Sequence, residues 1–330
     1  MLDTLLAVFA SKYNIPPKVI ARIAVAARTF RRTISYRFLE SLMLSPRPFM
    51  LCRNAPDHAT IQRDVYRIDI STLQQLVNFL ARIVADEKNT RKVLLMAIDS
   101  TRATTKSMFY PYNRGSIKLH GIVDINTRAI LDIDFGWSVE DLEFDFKHDS
   151  FTAFVLGDKE YWAASFSRGL LEQHIVPVAS PKGDTSDDDT LMVLRWLQRR
   201  HLRNLRRIRG IVEEIFSYLV PHSNVLASQL CHTMIVEILI RTIIWNTLII
   251  GSILDVYTRE HYGLSLTRLL GGKGIGYEAR LEPLEVDAIA SLIGEVFGRH
   301  VVHGGSFKQL DCTWFLSEFW GVGPRARTGK

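Results

Sequence analysis

The stretch KVLLMAIDS, residues 92–100, limits the fold more than any other part of the chain. It runs through six consecutive apolar residues and then stops on Asp99. An apolar run without alternation predicts a strand buried on both faces, the centre of a sheet with helices on either side. A second run, FTAFVLGD at 151–158, ends in the same way on Asp158. Strand ends are where open α/β sheets form their ligand crevices, so both aspartates are candidate site residues. For Asp158 taken alone, capping of a helix that begins near Tyr161 is an equally physical role.

The elements between and after these two strands complete a pattern. SIKLHGIVDI and AILDIDFGW are separated by NTR, which reads as a hairpin with Asn126 in the turn conformation. After the acidic linker SVEDLEFDFKHDS come the fourth strand, a helix over about 161–173 and a fifth strand, IVPVAS. A polar loop, PKGDTSDDD, then leads into a long arginine-rich helix that begins near Thr190. Three strands, then strand, helix, strand and long helix is the element order of the ribonuclease-H-like fold. The expected fold is therefore an α/β, mixed five-stranded sheet flanked by helices, with helical additions at both ends. The expected division is 1–90 helical, 91–225 catalytic core and 226–330 helical.

The N-terminal region is read as helical throughout. NIPPKVIARIAVAARTF has Asn14 as a cap and prolines in the first turn, and ISTLQQLVNFLARIVADEK has Ser71 as a cap with Leu73, Leu76, Val77, Leu80 and Ile83 at helical spacing. Two helices within residues 17–43 carry Arg22, Arg28, Arg31, Arg32 and Arg37. They fit either a helix-turn-helix reader of DNA or a helical cap on the main domain.

Charge points to the partner. The chain has a formal net charge of +6 and a pI near 9.2, and RWLQRRHLRNLRRIR at 195–209 holds seven arginines and no acid. Such a block suits a polyanion, nucleic acid above all. A composition of 47% hydrophobic and 23% charged residues excludes a disordered chain. Cys52, Cys231 and Cys312 are odd in number and far apart, which argues against a disulfide framework or a structural zinc site and for a reducing, intracellular compartment. The opening MLDTLLAVFASK has an acid at position 3 and does not read as a secretory leader. Residues 234–254 are strongly apolar, but Glu237, Arg241 and Asn246 interrupt them, so they are read as a core helix and no membrane partner is expected.

In the ribonuclease-H-like topology the first strand is central and the fourth lies beside it, which brings Asp99 and Asp158 close together. Two neighbouring carboxylates repel unless a cation lies between them, and Mg2+ or Mn2+ takes hard oxygen ligands of this kind. A third acid would come from the long helix. Glu213 sits at the edge of the apolar stripe of Val212, Phe216 and Leu219 with Arg209 one turn earlier, and is preferred to Glu214.

AIDST, KLHGIVDINTRAIL, LGDKEYW and RGIVEEIFSYL, in this order and spacing, resemble the Asp-Asp-Glu (DDE) transposases of prokaryotic insertion sequences. The resemblance covers roughly residues 60–246. It implies that Asp99, Asp158 and Glu213 form a metal-binding triad for two-metal phosphoryl transfer, Asp99 bridging two Mg2+ or Mn2+ ions about 4 Å apart. It implies nicking of double-stranded DNA at element ends and joining of the 3'-hydroxyl to a target. It also implies a homodimer on DNA and a nucleoid-associated place in the cytoplasm of a prokaryotic host. Lys118, Lys159, Arg206 and Arg209 are the expected DNA-binding residues, and His120 either joins them or is satisfied in the core. Where such enzymes often have tyrosine, lysine and glycine, this chain has Arg206, Val220 and Glu160. The loop 181–189 is too short for the β domain that some relatives insert there. A nuclease of the same fold that does not join ends, and a catalytically idle DNA-binding descendant, are the alternatives. His148 with Asp149 fits capping better than metal binding, GGKGIG at 271–276 reads as a loop, and Trp162 fits either core packing or stacking on a base.

Overall fold

The computed structural model describes residues 1–31, 58–85, 93–105, 116–144, 152–179, 189, 192, 194–195, 211–220, 225–226, 228 and 230–262. The chain divides into two compact units, Gln74–Ile249 and Met1–Leu73 with Ile250–Lys330. This division differs from the three-part reading, because most of the helix beginning at Ile70 and the first half of the helix beginning at Cys231 group with the sheet.

In the terminal unit, α1 (Leu2–Tyr13) and α2 (Pro17–Arg31) are separated by a short turn. Asn14, expected to start the second helix, instead ends the first one. It adopts the left-handed conformation (φ 52°) and its N–H returns to the Ala10 carbonyl. Pro17 then opens α2 at the position where a missing N–H costs nothing. Arg22 pairs with Asp64 of α3 (His58–Tyr66) at 3.5 Å. The second helix of the expected helix-turn-helix lies outside the described residues. Helix α4 (Ile70–Ala85) is capped by Asp69 and not by Ser71. The Asp69 carboxylate accepts from the Thr72 N–H at 2.9 Å and from the Ser71 hydroxyl. The Ser71 bond, aided by those of Thr72 against the effect of burial, holds this carboxyl below its ordinary value.

The central unit is built on β1 (Val93–Thr105). With β2 (Ser116–Asp124), β3 (Ile130–Phe135), β4 (Thr152–Leu156) and β5 (Ile175–Val178) it forms a sheet of order β3-β2-β1-β4-β5. The β1–β2 and β2–β3 pairs are antiparallel, and the β1–β4 and β4–β5 pairs are parallel. That order and those directions are the ribonuclease-H-like arrangement. β1 extends past the expected 92–100 because Thr104 still pairs with Ser116, and a short β6 (Val225–Leu226) joins its end in parallel.

The hairpin between β2 and β3 is closed by Asp124, whose carboxylate accepts from the Asn126 N–H and the Thr127 hydroxyl. The left-handed residue is Arg128 (φ 64°), not the expected Asn126. After β4, a 3-10 turn (Lys159–Tyr161) precedes α5 (Ala164–Glu172), so the expected helix over 161–173 begins later.

Each face of the sheet carries its own core. Leu94, Met96, Ile98, Ile122 and Val155 pack with Tyr161, Phe166 and Leu170. Ala97, Leu119, Val123 and Leu156 pack with Val212, Ile215, Phe216 and Leu219 of α6 (Ile211–Leu219), and with Met234 and Ile238 of α7 (Cys231–Tyr262). Alternate residues of β1 thus serve different cores, which is why its sequence shows no polar face.

Helix α7 has the length and apolar composition to cross a membrane, and 72% of its most apolar stretch is buried inside the protein. Its polar residues are engaged within the fold. Glu237 and Arg241 pair at 2.9 Å, and Glu237 also accepts from the Ser228 N–H. Asn246 grips the edge strand β3: its side-chain oxygen accepts from the Ile130 N–H at 2.9 Å and its amide donates to the Ile130 carbonyl at 2.7 Å. A helix side chain therefore satisfies an edge that another strand would otherwise pair.

Replacing Asn246 with leucine leaves both Ile130 groups buried without partners. We predict a loss of about 1–3 kcal/mol, read as a lower urea midpoint with an unchanged slope.

Candidate functional site

The two candidate aspartates lie on neighbouring segments, Asp99 within β1 and Asp158 just beyond β4, and the parallel pairing sets their register. Met96 lies opposite Val155 and Ala97 opposite Leu156. The ladder stops at this pair: Asp99 lies two residues further along β1, and Asp158 two residues past the end of β4. Ala97 faces the core of α6, so alternation along β1 turns Asp99 to that same side.

On the other side of β1, Asp99 is paired with Gly121 of β2. A Cβ at Gly121 would come within 2.9 Å of the Phe216 ring, so only glycine lets α6 approach so closely beside Asp99. Val212, Ile215, Phe216 and Leu219 form the buried face of α6, and Glu213 and Glu214 flank it on opposite sides, both exposed. Glu214 pairs with Arg128 at 3.3 Å, at the β2–β3 turn, the end of the sheet away from Asp158. Glu213 lies on the Phe216 side, one turn before that ring.

Asp158 takes the capping role that its sequence allows, for a 3-10 turn. Its carboxylate accepts from the Glu160 N–H at 2.7 Å and caps the 3-10 turn. Gly157 permits the turn to fold back, because a Cβ there would lie 2.9 Å from the Cβ of Tyr161. Asp99 in turn accepts from the Ser100 N–H at 2.8 Å.

The turn is tied to the sheet on its other face. Glu160 accepts from the Ser100 hydroxyl at 3.2 Å and from the Lys118 amine. Burial alone would raise the Glu160 carboxyl, but the Lys118 bond and charge, with Ser100, hold it below its ordinary value. Tyr161 is buried, and burial reinforced by the charges of Asp99, Glu160 and Asp158 pushes its phenol far up. His120 Nε2 faces the Gly136 carbonyl at 3.1 Å and Nδ1 faces the Tyr161 hydroxyl at 2.8 Å. A carbonyl only accepts, so the proton belongs on Nε2 and Nδ1 accepts from the tyrosine.

Two expected DNA contacts change meaning. His120 is fully buried with both ring nitrogens engaged and presents no surface to DNA. Lys118 is a residue of the Glu160 cluster, and only 10% of its side chain is exposed. Lys159 is exposed beside Asp158. Trp162 packs against the core that contains Tyr161 and Phe166. Arg206, Arg209, His148, Asp149 and the loop 271–276 lie outside the described residues. Sequence reasoning missed the ties made by Ser100 and Glu160, although an acid two residues after Asp158 in GDKEY was a visible signal.

The chemistry of the donors fits a divalent cation in part. Asp99 and Asp158 offer adjacent hard oxygens, the donors Mg2+ and Mn2+ take together with water and phosphate. The expected three-acid cluster is not gathered: among the described residues, no group of three or more His, Cys, Asp or Glu is close enough together to hold a metal ion.

No protein-family model and no curated protein matches the chain. Among solved structures it is similar to the piggyBac transposase synaptic complex with hairpin DNA, with a TM-score of 0.39 and 11% identity over 95% of this chain and 77% of that one. The assignment of the fold rests on strand order and direction.

The His120 environment predicts a pH dependence. Burial, with Lys118 adding to it, lowers the imidazole from its ordinary 6.5 against the pull of Gly136, Glu160 and Asp134. A histidine lowered in this way contributes stability that is present above the unfolded value and lost as pH falls through the folded one. The melting temperature should therefore fall as pH drops below about 6.5, and fall less steeply in His120→Gln.

Proposed function

We propose that the chain is a DNA transposase of the DDE type, which nicks double-stranded DNA at element ends and joins the freed 3'-hydroxyl to a target. The observation that supports this reading is the ribonuclease-H-like strand order, in which Asp99 lies on the central strand β1 and Asp158 just past the end of the adjacent parallel strand β4. The sequence motifs around both residues add to it.

In this reading Asp99 and Asp158 would hold Mg2+ or Mn2+, with Glu213 as the third carboxylate. The cation supplies Lewis acidity and a more acidic attacking water. The rest of the work belongs to the chain. Asp99 and Asp158 fix the place of the scissile phosphate, and the exposed Lys159 next to Asp158 meets a backbone phosphate. The arginines of 195–209, Arg206 and Arg209 among them, neutralise DNA on approach and hold it by salt-dependent phosphate contacts. Two ends must be cut and joined together, so the acting form is a homodimer on DNA, in the nucleoid of a prokaryotic host.

The test is nicking of a supercoiled plasmid that carries candidate element ends, in Mg2+ or Mn2+, by the wild type and Asp158→Asn. We expect metal-dependent nicking that falls in the variant by at least the ~100-fold that changes around metal ligands reach. Nicking that survives the substitution would overturn the site. A pre-cut end tests the second step: joined product identifies a transposase, cutting without joining a nuclease, and metal-independent binding with neither an idle DNA-binding protein.

A further inference from the structure

Two carboxylates and two backbone amides form a closed arrangement around the candidate site. Asp99 accepts from the Ser100 N–H at 2.8 Å, and Asp158 accepts from the Glu160 N–H at 2.7 Å. The side chains of those same two donors are joined to each other, the Ser100 hydroxyl donating to Glu160 Oε2 at 3.2 Å. The other carboxylate oxygen of Glu160 takes the Lys118 amine of β2. Each aspartate is therefore held by a residue whose side chain is bound to the residue holding the other.

We propose that Ser100 and Glu160, backed by Lys118, are positioning residues that set the separation of the Asp99 and Asp158 carboxylates. The need for such a device follows from where Asp158 stands. Its strand ends at Leu156, so no ladder hydrogen bond fixes it against β1. The Gly157 N–H turns instead to the Val178 carbonyl of β5. What ties the turn back across β1 is Glu160, reaching Ser100 on β1 and Lys118 on β2. Glu160 also adds a third negative charge near two aspartates that already repel each other. Lys118 offsets that charge, which explains why a lysine with little exposure lies under the turn.

This inference rests on the reading of Asp99 and Asp158 as cation ligands, and two readouts on the full-length protein separate the two claims. The first is hydrogen exchange of the 157–162 segment without metal, and the second is Mn2+ affinity by electron paramagnetic resonance. Glu160→Ala and Ser100→Ala are each expected to speed exchange in that segment and to weaken Mn2+ binding about 10-fold, the lower end of the effect of residues that orient metal ligands. Glu160→Gln keeps an oxygen for Ser100 and should recover most of the affinity. Unchanged exchange in Glu160→Ala would overturn the tie whatever the metal does. Faster exchange with unchanged Mn2+ affinity would make it a structural tie and overturn the positioning role. Mn2+ binding that is also untouched by Asp158→Asn would overturn the ligand reading itself, and with it the positioning role, while leaving the tie as a feature of the fold.

Discussion

The parallel pairing of β1 with β4 is the constraint on which the rest depends. Only five residues of each strand are matched, from Val93 with Thr152 to Ala97 with Leu156. A slip of one residue would send Asp158 to the opposite face and its neighbours Leu156 and Phe154 into the wrong core. The register is held because both strands are apolar on both faces. Leu94, Met96, Ala153 and Val155 fill one core and Ala97 and Leu156 the other, and a shifted pairing does not fill both.

Around that pair the chain solves two problems of cover. Helix α6 lies close against the sheet because Gly121 leaves room for the Phe216 ring. The edge at β3 must be prevented from pairing with another chain. Asn246 does this from α7 by presenting an amide to Ile130 as a neighbouring strand would. The polar residues that interrupt 234–254 thus each have a structural use: Glu237 and Arg241 satisfy each other, and Asn246 closes the sheet.

Much of the fold was legible because it depends on runs of apolar residues. The five long strands lie where their runs predict them, and their order follows from the sequence of elements. The caps were less legible, since several polar residues compete at each helix end and only geometry selects one. Asp69 won over Ser71 because it precedes the first helical residue and reaches the Thr72 N–H. Asn14 and Arg128 show the same limit for left-handed positions: Asn14 took that conformation at the end of a helix, and an arginine took it in a turn where Asn126 was expected. At the site, Asp99 and Asp158 stand out in the sequence because each follows an apolar run, but Asp99 lies inside β1 and only Asp158 follows a strand end. The roles of Ser100, Glu160 and His120 were not legible, because they come from contacts between residues distant in sequence. For His120 in KLHG the sequence leaves a DNA contact and a core position both open, and the Tyr161 hydroxyl and the Gly136 carbonyl on either side of it select the core.

The central claim is that the β1–β4 register builds a cation site from Asp99 and Asp158. Anomalous diffraction from crystals soaked in Mn2+ tests it without reference to any DNA substrate. The account predicts a manganese peak bonded to an oxygen of each aspartate at the end of β4. Crystals that take up manganese elsewhere, or show both carboxylates bound only to protein at saturating Mn2+, would contradict it.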